Sequence, residues 1–222
     1  MSAFLGHIHH WLYHKINRVV EREQLIYEKA EEMCGATAEE LQEQVWQIYG
    51  TPQRDAKLEE IIDHTNIHGW LQRQVTIAET REAAFIKELV DTCGSAAHSI
   101  AKDAYAEHGK ICGQHANAQG KYETDVPDGV YKALNDYLLN GMPCDEGDTV
   151  VQNDADKVIW EGRVCLQERN WAKAGVDKNL MKELYQQWFA SFVTALNPTF
   201  TYKQTADTLK GDQVNRHEIV KS

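Results

Sequence analysis

Proline is scarce in this sequence, four residues in 222, and no Cys-x-x-Cys pair occurs. The five cysteines, Cys34, Cys93, Cys112, Cys144 and Cys165, are an odd number and widely scattered. That spacing suggests neither a zinc knuckle nor a disulfide framework, so free thiols in a reducing cytoplasm are expected. No run of about 18 apolar residues is present, which excludes an expected membrane span. His7, His9 and His10 interrupt the first apolar stretch, so it does not read as a signal peptide. Positive charge is also short: 23 Lys and Arg stand against 34 Asp and Glu, a net charge of -11. Without a basic stripe, neither nucleic acid nor an anionic membrane is an expected partner. The metalloprotease signature His-Glu-x-x-His is missing, and so is the Glu-x-x-His pair of carboxylate-bridged metal bundles. What is present suits a packed globule, because 42% of residues are hydrophobic and 26% charged.

Apolar spacing predicts the elements. Leu5, Ile8, Leu12, Ile16, Val19 and Val20 recur near the helical period, predicting a helix over 4–34. Thr37 with Glu40 has the capping-box pattern of a second helix, which Gly50 and Pro52 end. Residues 56–92 read as the longest uninterrupted helix, with Gly69 inside it as a kink or a close contact. A helix rich in small residues follows over 95–119, then a short one over 129–140. The character then changes. "TVVQNDADKVIWEGRVCL" reads as a β-hairpin, "QERNWAKAG" and "KNLMKELYQQWFASFVTAL" as helices, and "TFTYKQTADTL" with "VNRHEIV" as a second hairpin. The expected fold is therefore α+β: an N-terminal helical bundle over 1–145 packed with a small four-stranded antiparallel sheet over 146–222, sharing one core.

A histidine motif occurs twice. Ile8-His9-x-Trp11-Leu12 matches Ile67-His68-x-Trp70-Leu71, and Ile16 then matches Val75. On a helix His9 shares a face with Leu12 and Ile16, and His68 with Leu71 and Val75. Two such helices side by side would bring both imidazoles into one interior pocket, as satisfied core groups or as a site. His10 with His14, and His64 with His68, are spaced i, i+4, so a divalent metal held by these four is a second expectation. Glu79 falls near the His68 face and could act there as a base; a salt-bridged carboxylate is the plainer expectation.

The C-terminal part carries a more specific pattern. Arg163-Val164-Cys165, Gly175 at a helix end, Asn197-Pro198, and Gly211-Asp212 before a final strand resemble the L-2-amino-thiazoline-4-carboxylic acid hydrolase family. "FIKELVDTCGSAAHSIAKDAYAEHGK" is similar to the family's helical region. The likeness covers roughly the last 140 residues and leaves the histidine motif outside it. Departures occur where many members carry a cysteine after Gly-Asp, since Val214 or Asn215 stands there, and before Asn-Pro, where this chain reads "QQWFASF". The resemblance implies a hydrolase that opens a carbon–nitrogen or carbon–sulfur bond of a small heterocyclic or amidine-like substrate.

Such chemistry needs a nucleophile, a proton donor and an oxyanion or carboxylate partner. Cys165 is the expected nucleophile and His217 its base, both on strands of one sheet, with His68 and Glu79 as further catalytic groups. Arg163 and Arg216 would clamp a substrate carboxylate, and His9, Trp70 and Trp160 would line the site. The alternative is a non-catalytic, metal- or cofactor-binding helical protein built on His9, His68 and His64. A homo-oligomer is compatible with the acidic charge and the amphipathic first helix.

Overall fold

The computed structural model describes residues 5–222 except 55 and 146. Among the described residues, eight α-helices and a four-stranded antiparallel sheet form an α+β fold with a helical N-terminal region, as the periodicities predict. Helices α1 (His7–Cys34), α2 (Ala36–Tyr49), α3 (Leu58–Ile61), α4 (Ile67–Cys93), α5 (Ser95–Ala118) and α6 (Pro127–Tyr137) come first. Strands β1 (Thr149–Asn153) and β2 (Lys157–Gly162) follow, then α7 (Glu168–Ala174), α8 (Lys178–Leu196), β3 (Phe200–Ala206) and β4 (Asn215–Lys221). Among the described residues no helix is long and apolar enough to cross a membrane.

The helix expected over 129–140 is Pro127–Tyr137, and three further boundaries differ from expectation, each for a local reason. The helix predicted over 56–92 is broken between α3 and α4. There the Asp63 carboxylate accepts the Thr65 amide at 2.9 Å, and the Asn66 side chain caps α4 by accepting the Gly69 N–H at 3.0 Å. Asx side chains compete in this way with the helical ladder. Gly69 is thus neither a kink nor a helix contact: a Cβ there would collide with the Asn66 amide. Next, α2 starts at Gly35 rather than at a Thr37 cap, because Gly35 takes φ 55° and turns the chain at once. Finally, β2 stops at Gly162, so Arg163 and Cys165 lie beyond the strand. Strand alternation does not govern where they point.

The strand order is β1-β2-β4-β3, and the two hairpins join where β2 pairs with β4, placing Trp160 opposite His217. Helix α8 packs on β3, and α5 packs closely against α8. Gly109 allows that approach: a Cβ would lie 2.5 Å from the Trp188 carbonyl oxygen. One buried cluster takes in side chains of both the helical region and the sheet, among them Phe85, Tyr105, Trp160, Trp188 and Ile219. A second joins the N-terminal halves of α1 and α4, with Leu12, Ile16, Leu71 and Val75, to Leu58, Ile62, Leu139 and Met142.

The histidine motif proves to be the start of a longer repeat. At the same offset that relates His9 to His68, Arg22 matches Arg81, Glu23 matches Glu82, Cys34 matches Cys93, Gly35 matches Gly94, and Trp46 matches Tyr105. In space α1 and α4 run in parallel, and their ion pairs cross over. Arg22 binds Glu82 through two bonds of 2.6 and 2.8 Å, and Arg81 binds Glu23 at 2.7 Å, all four side chains buried. Trp46 of α2 donates to Glu23 at 3.0 Å, and α5 supplies Tyr105 over the Arg22 guanidinium. Helix α2 packs on α4 as α5 packs on α1. The α1–α2 and α4–α5 pairs are therefore related by a pseudo-two-fold axis running along the α1–α4 seam.

Candidate functional site

Two cavities share the turn between β2 and α7, where Val164 and Cys165 line both. The first, about 50 Å³, lies between α8 and the sheet. Asp177 caps α8 by accepting the Asn179 and Leu180 amides at 2.6 and 3.1 Å. That start directs Lys182, Tyr185, Gln186 and Phe189 toward the cavity. From the sheet, Trp160, Tyr202, Asn215 and His217 complete the wall. His217 stacks on Trp160 with centroids 5.3 Å apart and its Nδ1 is 2.8 Å from the Tyr202 hydroxyl. Burial, helped by the Lys182 charge, pushes this imidazole down to about 3, so it is neutral at pH 7. The Lys182 ammonium donates to Asn215 Oδ1 at 3.2 Å and lies 3.4 Å from Asp207.

Cys165 lies in the turn between β2 and α7 and forms part of the wall of both cavities. Its thiol is 3.5 Å from Gln167 Oε1, and burial pushes its pKa up against the opposing charge of Lys182. A polar chain leads on from there. Gln167 donates to Asn140 at 3.2 Å, and Asn140 donates to Asp148 at 2.8 Å. Burial raises Asp148 to about 6, while the Asn140 bond and the Lys15 charge oppose it.

The second cavity, a cleft of about 420 Å³, runs between α4 and α7 and is lined by Gln72, Glu79, Asp145, Cys165, Arg169 and Asn170. That volume is in the range of small-molecule pockets. Glu79 is buried, and its Oε2 accepts from Asn170 at 2.6 Å. Glu79 Oε1 and Asn170 Oδ1 have no hydrogen-bond partner among the described residues. Burial raises the Glu79 carboxyl to about 7; Glu82 adds to the rise, and the Asn170 bond with the Arg22 and Arg169 charges opposes it.

The residues expected from the sequence are thus divided. Cys165, His217 and Trp160 share the sheet cavity, and Cys165 and Glu79 share the cleft. No hydrogen bond joins Cys165 to His217 among the described residues; the His217 Nδ1 meets the Tyr202 hydroxyl, and the Cys165 thiol faces Gln167. Arg216 lies on the outer face of β4 and binds Glu161 at 2.6 Å, away from both cavities. Arg163 is exposed in the turn after β2. Neither lines either of the two cavities; the cleft's arginine is Arg169.

His9 and His68 do meet, with ring centroids 5.6 Å apart. They meet at the surface, however, with His68 exposed and His9 half-buried, not in an interior pocket. They sit at the end of the α1–α4 seam beyond Leu12 and Leu71. His9 Nδ1 accepts the Gly6 N–H at 3.0 Å and so serves the start of α1. Trp70 lines a separate cleft with Tyr13 and Arg81.

The four-histidine metal site is not assembled. His64 lies in the break before α4, so it shares no helical face with His68. His10 faces Glu59 at 3.5 Å, and His14 Nε2 accepts from Arg18 at 3.0 Å. Among the described residues no group of three or more His, Cys, Asp or Glu side chains is placed to hold a metal ion.

Sequence reasoning missed Lys182, Asp148, Arg169 and Asn170. Lys182 carried a usable signal: it is a charge on the same helical face as Tyr185, Gln186 and Phe189. No family model, curated protein or solved structure matches this chain.

Proposed function

We propose that this protein is a small-molecule hydrolase that opens a carbon–nitrogen or carbon–sulfur bond of a small heterocyclic or amidine-like substrate, with the cleft between α4 and α7 as its site. The observation that carries this reading is that a thiol, Cys165, and a buried carboxyl raised to about 7, Glu79, line one cleft of small-molecule size. The resemblance of the C-terminal region to aminothiazoline-carboxylate hydrolases supports the same chemistry.

Burial keeps the Cys165 thiol protonated, so attack requires a base. A carboxyl with a pKa near the working pH serves as base when ionised and as acid when protonated. In the proposed sequence, Glu79 takes the thiol proton and the sulfur bonds to the amidine-like carbon. The proton returns to the departing nitrogen or sulfur as that bond breaks. Water then cleaves the carbon–Cys165 bond and restores the thiol. Asn170 holds Glu79 in place, and Arg169 supplies the positive charge for a substrate carboxylate.

The test is ring opening of 2-amino-thiazoline-4-carboxylate and related cyclic amidines by the purified protein, followed chromatographically. Turnover is expected to vanish in Cys165→Ala and to fall by about 10²-fold or more in Glu79→Gln. Undiminished turnover in Cys165→Ala would overturn the nucleophile assignment.

The approach of His9 to His68 favours a second reading, a metal- or cofactor-binding helical protein without catalysis. Near-stoichiometric metal in the purified protein, lost in His68→Ala, would support it; metal-free protein would remove it.

A further inference from the structure

The pseudo-two-fold relation has a chemical consequence at the end of the α1–α4 seam opposite the histidines. Cys34 is the last residue of α1 and Cys93 the last of α4. Each is followed by a glycine with nearly the same backbone, φ 55° and ψ -130° at Gly35, φ 65° and ψ -144° at Gly94. The helices stay in register at two earlier levels, first at the His9–His68 rings and then at the crossed Arg22–Glu82 and Arg81–Glu23 pairs. Continuing that register brings the two cysteines together at a third level. Both thiols are half-buried at the rim of the main core cluster, within reach of a dissolved reagent.

We infer that Cys34 and Cys93 form a reversible dithiol–disulfide pair, oxidised by exchange with a small-molecule disulfide such as glutathione disulfide. The Cys34 thiol donates to the Ala30 carbonyl at 3.1 Å, and Cys93 is close enough to raise its pKa. Burial, and then the neighbouring Cys93, push the Cys34 thiol up to about 11. The thiolate of one of the two cysteines attacks one sulfur of glutathione disulfide, forms a mixed disulfide, and expels one glutathione thiolate. The other cysteine then loses its proton, attacks the protein sulfur of that mixed disulfide, and expels the second glutathione. Two protein thiols are oxidised and one small disulfide is reduced to two thiols, so electrons and protons balance. Gly35 and Gly94 have open space where a Cβ would lie, which leaves room for the helix ends to adjust to disulfide geometry.

Of the three remaining cysteines, Cys144 is exposed and Cys112 and Cys165 serve as internal controls. Cys112 is buried, with its thiol pushed up to about 12. Cys165 belongs to the cleft described above, so the two sites fail or survive separately.

The experiment incubates the full chain with glutathione disulfide, blocks the remaining thiols by alkylation, and maps peptides by mass spectrometry. A peptide joining Cys34 to Cys93 is expected, with an upward shift of the thermal midpoint that dithiothreitol reverses. Cys34→Ser should instead trap glutathione on Cys93, with no shift; its circular dichroism checks that it is folded. Wild-type protein carrying glutathione on Cys93 without the joined peptide would overturn the inference. So would full alkylation of both thiols after treatment.

Discussion

The two ends of the α4 apolar stripe respond differently to the same spacing. His68, Leu71, Val75 and Glu79 share one face of the helix, as His9, Leu12 and Ile16 do on α1. His68 ends up exposed, while Glu79 is buried under α7 with its carboxyl raised to about 7. The difference lies in the covering element rather than in the stripe. Asn170 of α7 lies on Glu79, whereas His68 stays exposed beside His9. A polar residue on a core-facing stripe acquires unusual acidity only where another element removes it from water.

Substitutions along the seam probe that contrast. The largest effect is expected at its middle. Arg22→Ala leaves Glu82 buried without its partner, and urea unfolding should register a loss of about 3–5 kcal/mol. A loss below about 1 kcal/mol would mean that water reaches the pair.

Glu79 should have a smaller, pH-dependent effect. Its folded pKa, about 7, lies above its unfolded value, so the folded state holds the proton more tightly. The stability that follows is fully present below the unfolded carboxylate range and is lost as pH rises through about 7. Glu79→Gln removes this dependence. Its stability relative to the wild type should improve by about 1–3 kcal/mol between pH 5 and pH 8. Parallel curves for the two proteins over that interval would show that Glu79 is not held protonated.

The smallest effect belongs to the histidine end. His68→Ala should change stability by less than about 0.5 kcal/mol, as an exposed position does. A cost above about 2 kcal/mol would show that the imidazoles carry core packing, and the contrast between the two ends would disappear.

Several features were legible in the chain itself. Helical periodicity located α1, α5 and α8, and alternation with turn residues located both hairpins. The break before α4 was less legible. Ile61, Ile62 and Ile67 keep an apolar pattern going across Asp63 and Asn66, whose side chains end the helix through bonds that periodicity does not register. Cys165 was misplaced on β2 for a related reason, since β-rich composition runs past Gly162 after pairing has stopped. The repeat was visible only in its first residues. Its most telling members, Arg22 with Glu82 and Arg81 with Glu23, are reciprocal partners that become recognisable once α1 and α4 are known to run side by side.

Local pattern alone determined the α+β class, the hairpin–helices–hairpin order and the faces on which His9, His68 and Glu79 lie, because those properties depend on residues a few positions apart. Only the tertiary structure decided which of these groups are dry, which thiols share a wall or a helix end, and that Arg169 rather than Arg216 reaches the cleft. Desolvation and proximity depend on elements far apart in the chain, and no local spacing encodes them.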